Sequence, residues 1–328
     1  MNRDLFLAIL SMDSYNRGYG QGISGLSATG SIGNAIIGND SLVLGGTPND
    51  RLDARVGFYA LSYDVSGAGI GGLDGTVIAY RGSDYEDTNG NILRSNDLWQ
   101  GWTNAAGFPF AGQPGLALAF YRAVTGAEPY DTPGNVTLTG HSLGGSLAGF
   151  VSALSGNQAL LFDHLPFGVS AYLQSLAATG TVGSVRPGLP DAYFVENDVA
   201  ALTRSGALSL VSGGLSGAAI GAYFGSPLIG AAVGAVTLAS ATATLDSQVD
   251  NSELSQFDAG IGATDAHSQA LLVLLLWARE NANGRIDDIS ELFGNATQGG
   301  YAELARSAND NDVCREAAFR FAGWEKAS

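Results

Sequence analysis

Cysteine and histidine are scarce in this 328-residue chain, which contains one cysteine and three histidines. A lone Cys314 forms no disulfide within the chain. Together with His141, His164 and His267 it makes no set at the spacing of a Cys/His zinc site. A disulfide scaffold and a structural zinc site of that kind are therefore excluded.

Positive charge is also sparse, with 15 basic against 31 acidic residues and a formal net charge of −16. A protein this acidic repels phosphate backbones and anionic lipid headgroups, so we expect no nucleic-acid partner. The composition is nevertheless that of a folded protein, because 45% of the residues are hydrophobic.

Long uninterrupted hydrophobic runs are missing. Residues 1–10 are too short an apolar run for a secretory signal peptide, so we expect either export by another route or a cytoplasmic protein. Residues 205–245 carry no charge, but Gly, Ser, Thr and Pro227 interrupt them. They fall short of the roughly 20 apolar residues of a membrane-spanning helix, and we expect a buried helical pair or, preferably, an apolar flap.

The chain has no solenoid-type repeat and no Pro-rich or charged linker, which indicates a single domain, 1–328. Buried strands alternate with helices, a pattern typical of an α/β fold whose mostly parallel sheet is covered on both faces. The predicted strands are 56–65, 75–80, 135–139, 159–162 and 192–195, and the predicted helices are 5–15, 97–106, 116–125, 170–176, 271–277 and one from Leu143.

The most informative motif is G-x-S-x-G, present as Gly140-His141-Ser142-Leu143-Gly144. A predicted strand precedes it and a helix rich in small residues follows, which is the context of a nucleophile elbow. Small residues are needed at Gly140 and Gly144, because strand and helix approach closely there. The motif predicts Ser142 as a nucleophile, with the Leu143 amide aimed at a developing oxyanion.

The base that activates Ser142 is assigned largely by elimination. The side chain of His141 adjoins the nucleophile but points away from it, and His164 closes the next strand in a position typical of a structural histidine. His267 precedes the apolar helix 271–277 on a loop edge, which favours it as the base.

A carboxylate must orient that histidine, and hydrolases with this elbow have the chain order serine, acid, histidine. Asp198 fits best, because it follows the predicted strand 192–195 at the edge where α/β active sites gather. Glu196, two residues earlier on the same loop, is the alternative.

A second apolar strand runs into Arg81-Gly82-Ser83, and a tryptophan-containing segment follows it. Together with G-H-S-L-G-G, the residues 195–199 and His267-Ser268, this order resembles the class 3 (fungal-type) lipase family of α/β hydrolases. The resemblance implies an α/β-hydrolase fold with apolar lid or flap insertions. It also implies Ser142, Asp198 and His267 as a triad and an oxyanion hole from Ser83 and Leu143. Residues 195–199 are a shortened version of the family pattern around the acid, so Glu196 remains an alternative to Asp198 as the acid.

The resemblance covers roughly residues 61–202 and the region of His267. We therefore expect the core in about 56–202 plus 259–282, with 205–245 inserted as a flap or cap. In the family a lid follows the oxyanion strand, which implies a lid at 91–110 with Trp99 and Trp102 on its apolar face. An ordinary amphipathic helix packed on the sheet is the alternative.

The function implied is a triacylglycerol lipase that acts on long-chain acyl esters at a lipid–water interface. A phospholipase of the same fold is the alternative, and an inactive lipid-binding or membrane-inserting module is the second. No cofactor is expected. Calcium has only the weak support of residues 87–91 and 281–285, which Asn-Gly turns explain more simply.

Overall fold

The computed structural model describes residues 1–18, 31–32, 34–45, 57–82, 112–131, 134–180, 185, 190–195 and 269–280. Two short 3-10 turns, Ser14–Asn16 and Ser41–Leu44, accompany its strands and helices. The strands are β1 Ser31–Ile32, β2 Ala35–Asp40, β3 Ala60–Asp64, β4 Thr76–Tyr80, β5 Val136–His141, β6 Gln158–Phe162 and β7 Asp191–Tyr193. The helices are α1 Arg3–Asp13, α2 Gly112–Thr125, α3 Leu143–Ser155, α4 Gly168–Thr179 and α5 Gln269–Glu280.

The strands form one sheet in the order β1-β2-β3-β4-β5-β6-β7. From β4 to β7 neighbouring strands are parallel, and from β1 to β4 they are antiparallel. The α/β class predicted from the sequence is confirmed, although the sheet is mixed. The antiparallel pairing of β3 with β4 is that of a hairpin, because residues 65–75 between them contain no helix of the kind that a parallel crossover needs.

Alternating strand residues build a separate apolar core on each face of the sheet. In β4, Val77 and Ala79 belong to the core shared with α1 and α5, whereas Ile78 and Tyr80 belong to the core shared with α2 and α3. Because side chains of a strand alternate between faces, a run of apolar residues buries both sides of the sheet.

The N-terminal helix α1 is buried along nearly its whole length, from Leu5 to Asp13. Its first turn is capped by Asn2, whose Oδ1 accepts a hydrogen bond from the Leu5 amide at 2.9 Å. It packs between the sheet and α5, where Gln269 Nε2 donates to the Ala8 carbonyl at 2.8 Å. A helix that is apolar on all sides is expected in such an enclosed position.

The described elements agree with the predicted strands and helices apart from their ends, which shift by a few residues. Strands β1 and β2 are additional, and the sequence does not predict β2 because it contains Gly38, Asn39 and Asp40, which are depleted in strands. The predicted helix 97–106 lies outside the described residues. Among the helices that are described, none has the length and hydrophobicity to cross a membrane.

Candidate active site

Four parallel strands end at one edge of the sheet, and polar residues follow β4, β5 and β6. Arg81 and Gly82 follow β4, Ser142 follows β5, and Asp163 follows β6, while β7 leads to Val195. In open α/β sheets the carboxyl edge is where ligands bind. The candidate site lies at this edge.

Ser142 occupies the turn between β5 and α3 in a backbone conformation that L-residues rarely adopt. Its φ is 57° and its ψ is −124°. Its amide donates to the Phe162 carbonyl at 2.9 Å, and its carbonyl accepts from the Ser146 amide at 3.1 Å. These bonds tie the turn to β6 and to the first turn of α3. Residues held in such a conformation by their surroundings cluster at functional sites.

Glycines allow strand, turn and helix to pack closely around Ser142. A Cβ on Gly144 would overlap the backbone carbonyl of Tyr80 at the end of β4, and a Cβ on Gly140 would overlap the backbone of Gly144. The close approach predicted from the motif is thus present. On the neighbouring strand, a Cβ on Gly82 would stand 2.6 Å from the His141 carbonyl and 3.2 Å from Ser142 Cβ.

Ser142 is the half-buried member of a buried stretch, since His141 and Leu143 on either side of it are buried. Leu143 is the first residue of the thirteen-residue helix α3. The first amides of a helix have no partner within it, and the helix dipole makes that end attractive to negative charge. A partly exposed serine beside a helix N-terminus suits attack on a carbonyl and stabilisation of the resulting oxyanion.

His141 directs its imidazole into the protein. Its Nδ1 is hydrogen-bonded to the Tyr15 hydroxyl at 2.8 Å, and its Nε2 lies 3.9 Å from Asp163 Oδ2. Asp163 is fully buried and has φ 41°, in the left-handed region that Asp tolerates better than most residues. Its Oδ1 accepts from the Val195 amide, and its own amide donates to the Tyr193 carbonyl, both at 2.9 Å.

His164 lies at the same edge but is enclosed, with 2% of its surface exposed. Its Nδ1 is 3.0 Å from the Leu165 carbonyl, and its ring packs against Phe167 with the centroids 5.7 Å apart. Its Cβ lies against Gly145 of α3. His164 therefore packs the end of β6 onto α3.

A buried network of charged and phenolic groups joins the N-terminal segment to the end of β4. Asp13 pairs with Arg17 at 2.5 Å and accepts a hydrogen bond from the Tyr63 hydroxyl at 2.8 Å. Arg81 donates to the Arg17 carbonyl at 3.0 Å, and its guanidinium lies 5.1 Å from the centre of the Tyr59 ring. Burial raises the pKa of Asp13, and hydrogen bonding and attraction from Arg17 offset this only in part.

Of the predicted catalytic and oxyanion residues, the structure describes Ser142 and Leu143, and it places them in adjacent positions at the start of α3. The other site residues and segments from the sequence lie outside the described residues. They are Ser83, Trp99, Trp102, Glu196, Asp198, His267, and segments 87–91, 205–245 and 281–285.

Tyr15 was not among the residues that the sequence marks as functional. Tyr15 belongs to no recognised sequence motif, and 126 positions in the chain separate it from His141. The sequence indicates only that Tyr15 is the last residue of the predicted helix 5–15. Asp163 lies between Ser142 and His267 in the chain, as the order serine, acid, histidine requires, but Asp198 is the preferred acid; the burial and backbone conformation of Asp163 are visible only in the structure.

Within the described ranges, no group of three or more His, Cys, Asp or Glu side chains is arranged to hold a metal ion. Comparisons of the chain with models of known protein families, with curated proteins and with solved structures give no match.

Proposed function

We propose that this protein is a serine carboxylic ester hydrolase with an α/β-hydrolase fold. The backbone of Ser142 carries the proposal. A partly exposed serine with φ 57° and ψ −124°, between a parallel strand and a helix, has the geometry of a nucleophile elbow. A serine that merely caps a helix has ordinary extended backbone angles and bonds its side chain to the first turn. Ser142 has neither feature.

In the proposed reaction the Ser142 hydroxyl attacks the carbonyl carbon of an ester. His267 takes the hydroxyl proton and passes it to the leaving alcohol, while Asp198 orients the imidazole, with Glu196 as the alternative acid. The Leu143 and Ser83 amides hold the oxyanion. A water molecule, deprotonated by the same histidine, then releases the carboxylic acid from the acyl-enzyme and restores Ser142.

The substrate class proposed is long-chain acylglycerol at a lipid–water interface, which makes the protein a triacylglycerol lipase. Its support is the apolar composition of segments 91–110 and 205–245, together with a net charge that disfavours anionic surfaces. Phospholipid is the alternative substrate. Release of fatty acid from phosphatidylcholine, but not from trioleoylglycerol, would select it.

The proposed nucleophile is tested with a fluorophosphonate probe, which reacts with activated serines. We expect one adduct, which peptide mass spectrometry assigns to the peptide that contains Ser142. The Ser142→Ala variant should lose labelling and lose at least a hundredfold in kcat on a soluble short-chain ester, because nucleophile removal costs orders of magnitude.

Ser146→Ala is the matched control. It removes a hydroxyl one turn further along α3, where Ser146 Oγ donates to the Pro166 carbonyl at 2.9 Å, and it should keep the adduct. A wild-type protein that binds lipid vesicles but neither reacts with the probe nor cleaves esters would instead be an inactive lipid-binding module.

A further inference from the structure

The N-terminal segment contacts His141, the residue that precedes the candidate nucleophile. Just beyond α1, the Tyr15 hydroxyl lies 2.8 Å from His141 Nδ1, and the two rings meet edge to face with centroids 5.8 Å apart. A Cβ built on Gly82 would overlap this hydroxyl and would also stand 3.2 Å from Ser142 Cβ. The hydroxyl thus lies against both the turn after β4 and the residue before Ser142.

Tyr15 is held in place by contacts that do not involve Ser142. On one side of it in the chain, buried Asp13 is bonded to Tyr63 of β3. On the other, the Arg17 carbonyl accepts a hydrogen bond from buried Arg81, directly after β4. Asp13 and Arg17 are also paired with each other. The segment is therefore bonded to the sheet on both sides of Tyr15, and these contacts fix the position of the hydroxyl independently of Ser142.

The chain of contacts continues beyond His141. Its Nε2 lies 3.9 Å from Asp163 Oδ2, and the other oxygen of Asp163 accepts from the Val195 amide at 2.9 Å. Val195 leads directly into Glu196 and Asp198, the two candidate acids. Tyr15, His141 and Asp163 consequently link the N-terminal segment, the elbow and the exit of β7.

We propose that Tyr15 is a positioning residue of the Ser142 site and acts through His141. This inference rests on the proposed function. The buried imidazole belongs to the residue that precedes Ser142, so its orientation sets where the elbow sits relative to the turn after β4. Reactions in which both partners are held in position are sensitive to small displacements, and an error of about 1 Å costs on the order of a hundredfold in rate.

The Tyr15→Phe variant tests the proposal, because it keeps the ring and removes the hydroxyl. On a soluble short-chain ester we expect kcat to fall about ten- to a hundredfold while KM changes less than about threefold. Phosphonylation of Ser142 should slow by a similar factor. Tyr121→Phe is the matched control, because the Tyr121 hydroxyl accepts a hydrogen bond from Asn157 away from the site and its loss should leave kcat unchanged.

If Tyr15 positions Ser142 through its contact with His141, replacing His141 should have a similar effect. His141→Gln should lower kcat by a similar factor, and the double variant with Tyr15→Phe should lose little more than either single variant, since both break one chain of contacts. A kcat in His141→Gln equal to that of the wild type overturns the proposal, even if Tyr15→Phe fails to fold. Additive losses in the double variant overturn the route through His141.

The outcomes separate the two proposals. If the probe does not label wild-type Ser142, the proposed function fails. If the wild type is labelled and Tyr15→Phe reacts as fast as Tyr121→Phe, the function stands and the positioning role of Tyr15 fails.

Discussion

The backbone of Ser142 is close to φ 60° and ψ −120°, the angles of the first central residue of a type II′ turn. Glycine predominates at that position because it has no Cβ to clash with the backbone. Holding another residue in such a conformation costs on the order of 1–3 kcal/mol. The fold carries this cost at the residue that we propose as the nucleophile.

Replacing Ser142 measures that cost. We expect Ser142→Gly to have a free energy of unfolding about 1 kcal/mol higher than Ser142→Ala, because glycine relieves the strain but loses more backbone entropy on folding. Urea denaturation of the two variants, followed by circular dichroism, provides the comparison. Equal stability, or a more stable alanine variant, would mean that the turn is unstrained.

Ser152, inside α3, is the control position. Ser152→Gly and Ser152→Ala both remove the hydrogen bond from Ser152 Oγ to the Asn157 carbonyl. The difference in stability between these two variants therefore reflects the backbone preferences of glycine and alanine. Glycine in a helix interior is less stable than alanine by about 1 kcal/mol, so the order of the two variants should reverse.

At the scale of elements, α1 combines two tasks. Its apolar residues fill the layer between the sheet and α5, and its last residue, Asp13, anchors the segment that carries Tyr15. Burying an ionised carboxylate is costly even beside an arginine, because both groups lose water. The raised pKa of Asp13 expresses this cost, and it makes the stability of the segment dependent on pH.

The sign of that dependence follows from proton binding. Because the pKa of Asp13 is raised in the folded state, the folded protein keeps a proton that the unfolded chain has already lost. The contribution of Asp13 to stability is complete below its pKa in the unfolded chain, and it is lost as the pH rises through its pKa in the folded protein. From about pH 4 to pH 7, the free energy of unfolding of the wild type should therefore decline relative to that of Asp13→Asn.

Urea denaturation of both proteins across this range tests the prediction, with Asp64→Asn as the control. Asp64 is exposed, and hydrogen bonds from the Ser66 hydroxyl and amide lower its pKa. The contribution of Asp64 to stability therefore depends on pH in the opposite direction. It is present above the pKa of Asp64 in the unfolded chain and is lost as the pH falls through its pKa in the folded protein. The opposite result would be a free energy of unfolding of the wild type that rises with pH relative to that of Asp13→Asn. It would show that Arg17 lowers the pKa of Asp13 by more than burial raises it.

For the whole molecule, a formal net charge of −16 affects which surfaces the protein approaches. We expect turnover of a neutral acylglycerol emulsion to exceed that of the same emulsion doped with anionic phospholipid. The difference should shrink as salt rises past about 0.1 M, where the Debye length falls to about 10 Å. Rates on emulsions of matched droplet size measure this effect. Faster turnover on the anionic emulsion at low salt would contradict it.

The sequence alone determined the features that are local in the chain. Alternating strands and helices gave the α/β class, because periodicity and length reflect local burial. The G-x-S-x-G motif predicted the turn after β5, and the close packing at Gly140 and Gly144 followed from it, since strand, turn and helix are consecutive there. The nucleophilic role of Ser142 stays a prediction.

Only the tertiary structure decided how distant segments meet. Tyr15 contacts His141 across 126 positions, and Asp163 reaches Val195 across 32, because α1 and the parallel strands bring their ends to one edge of the sheet. Such contacts depend on how elements pack, and no short stretch of sequence carries that information.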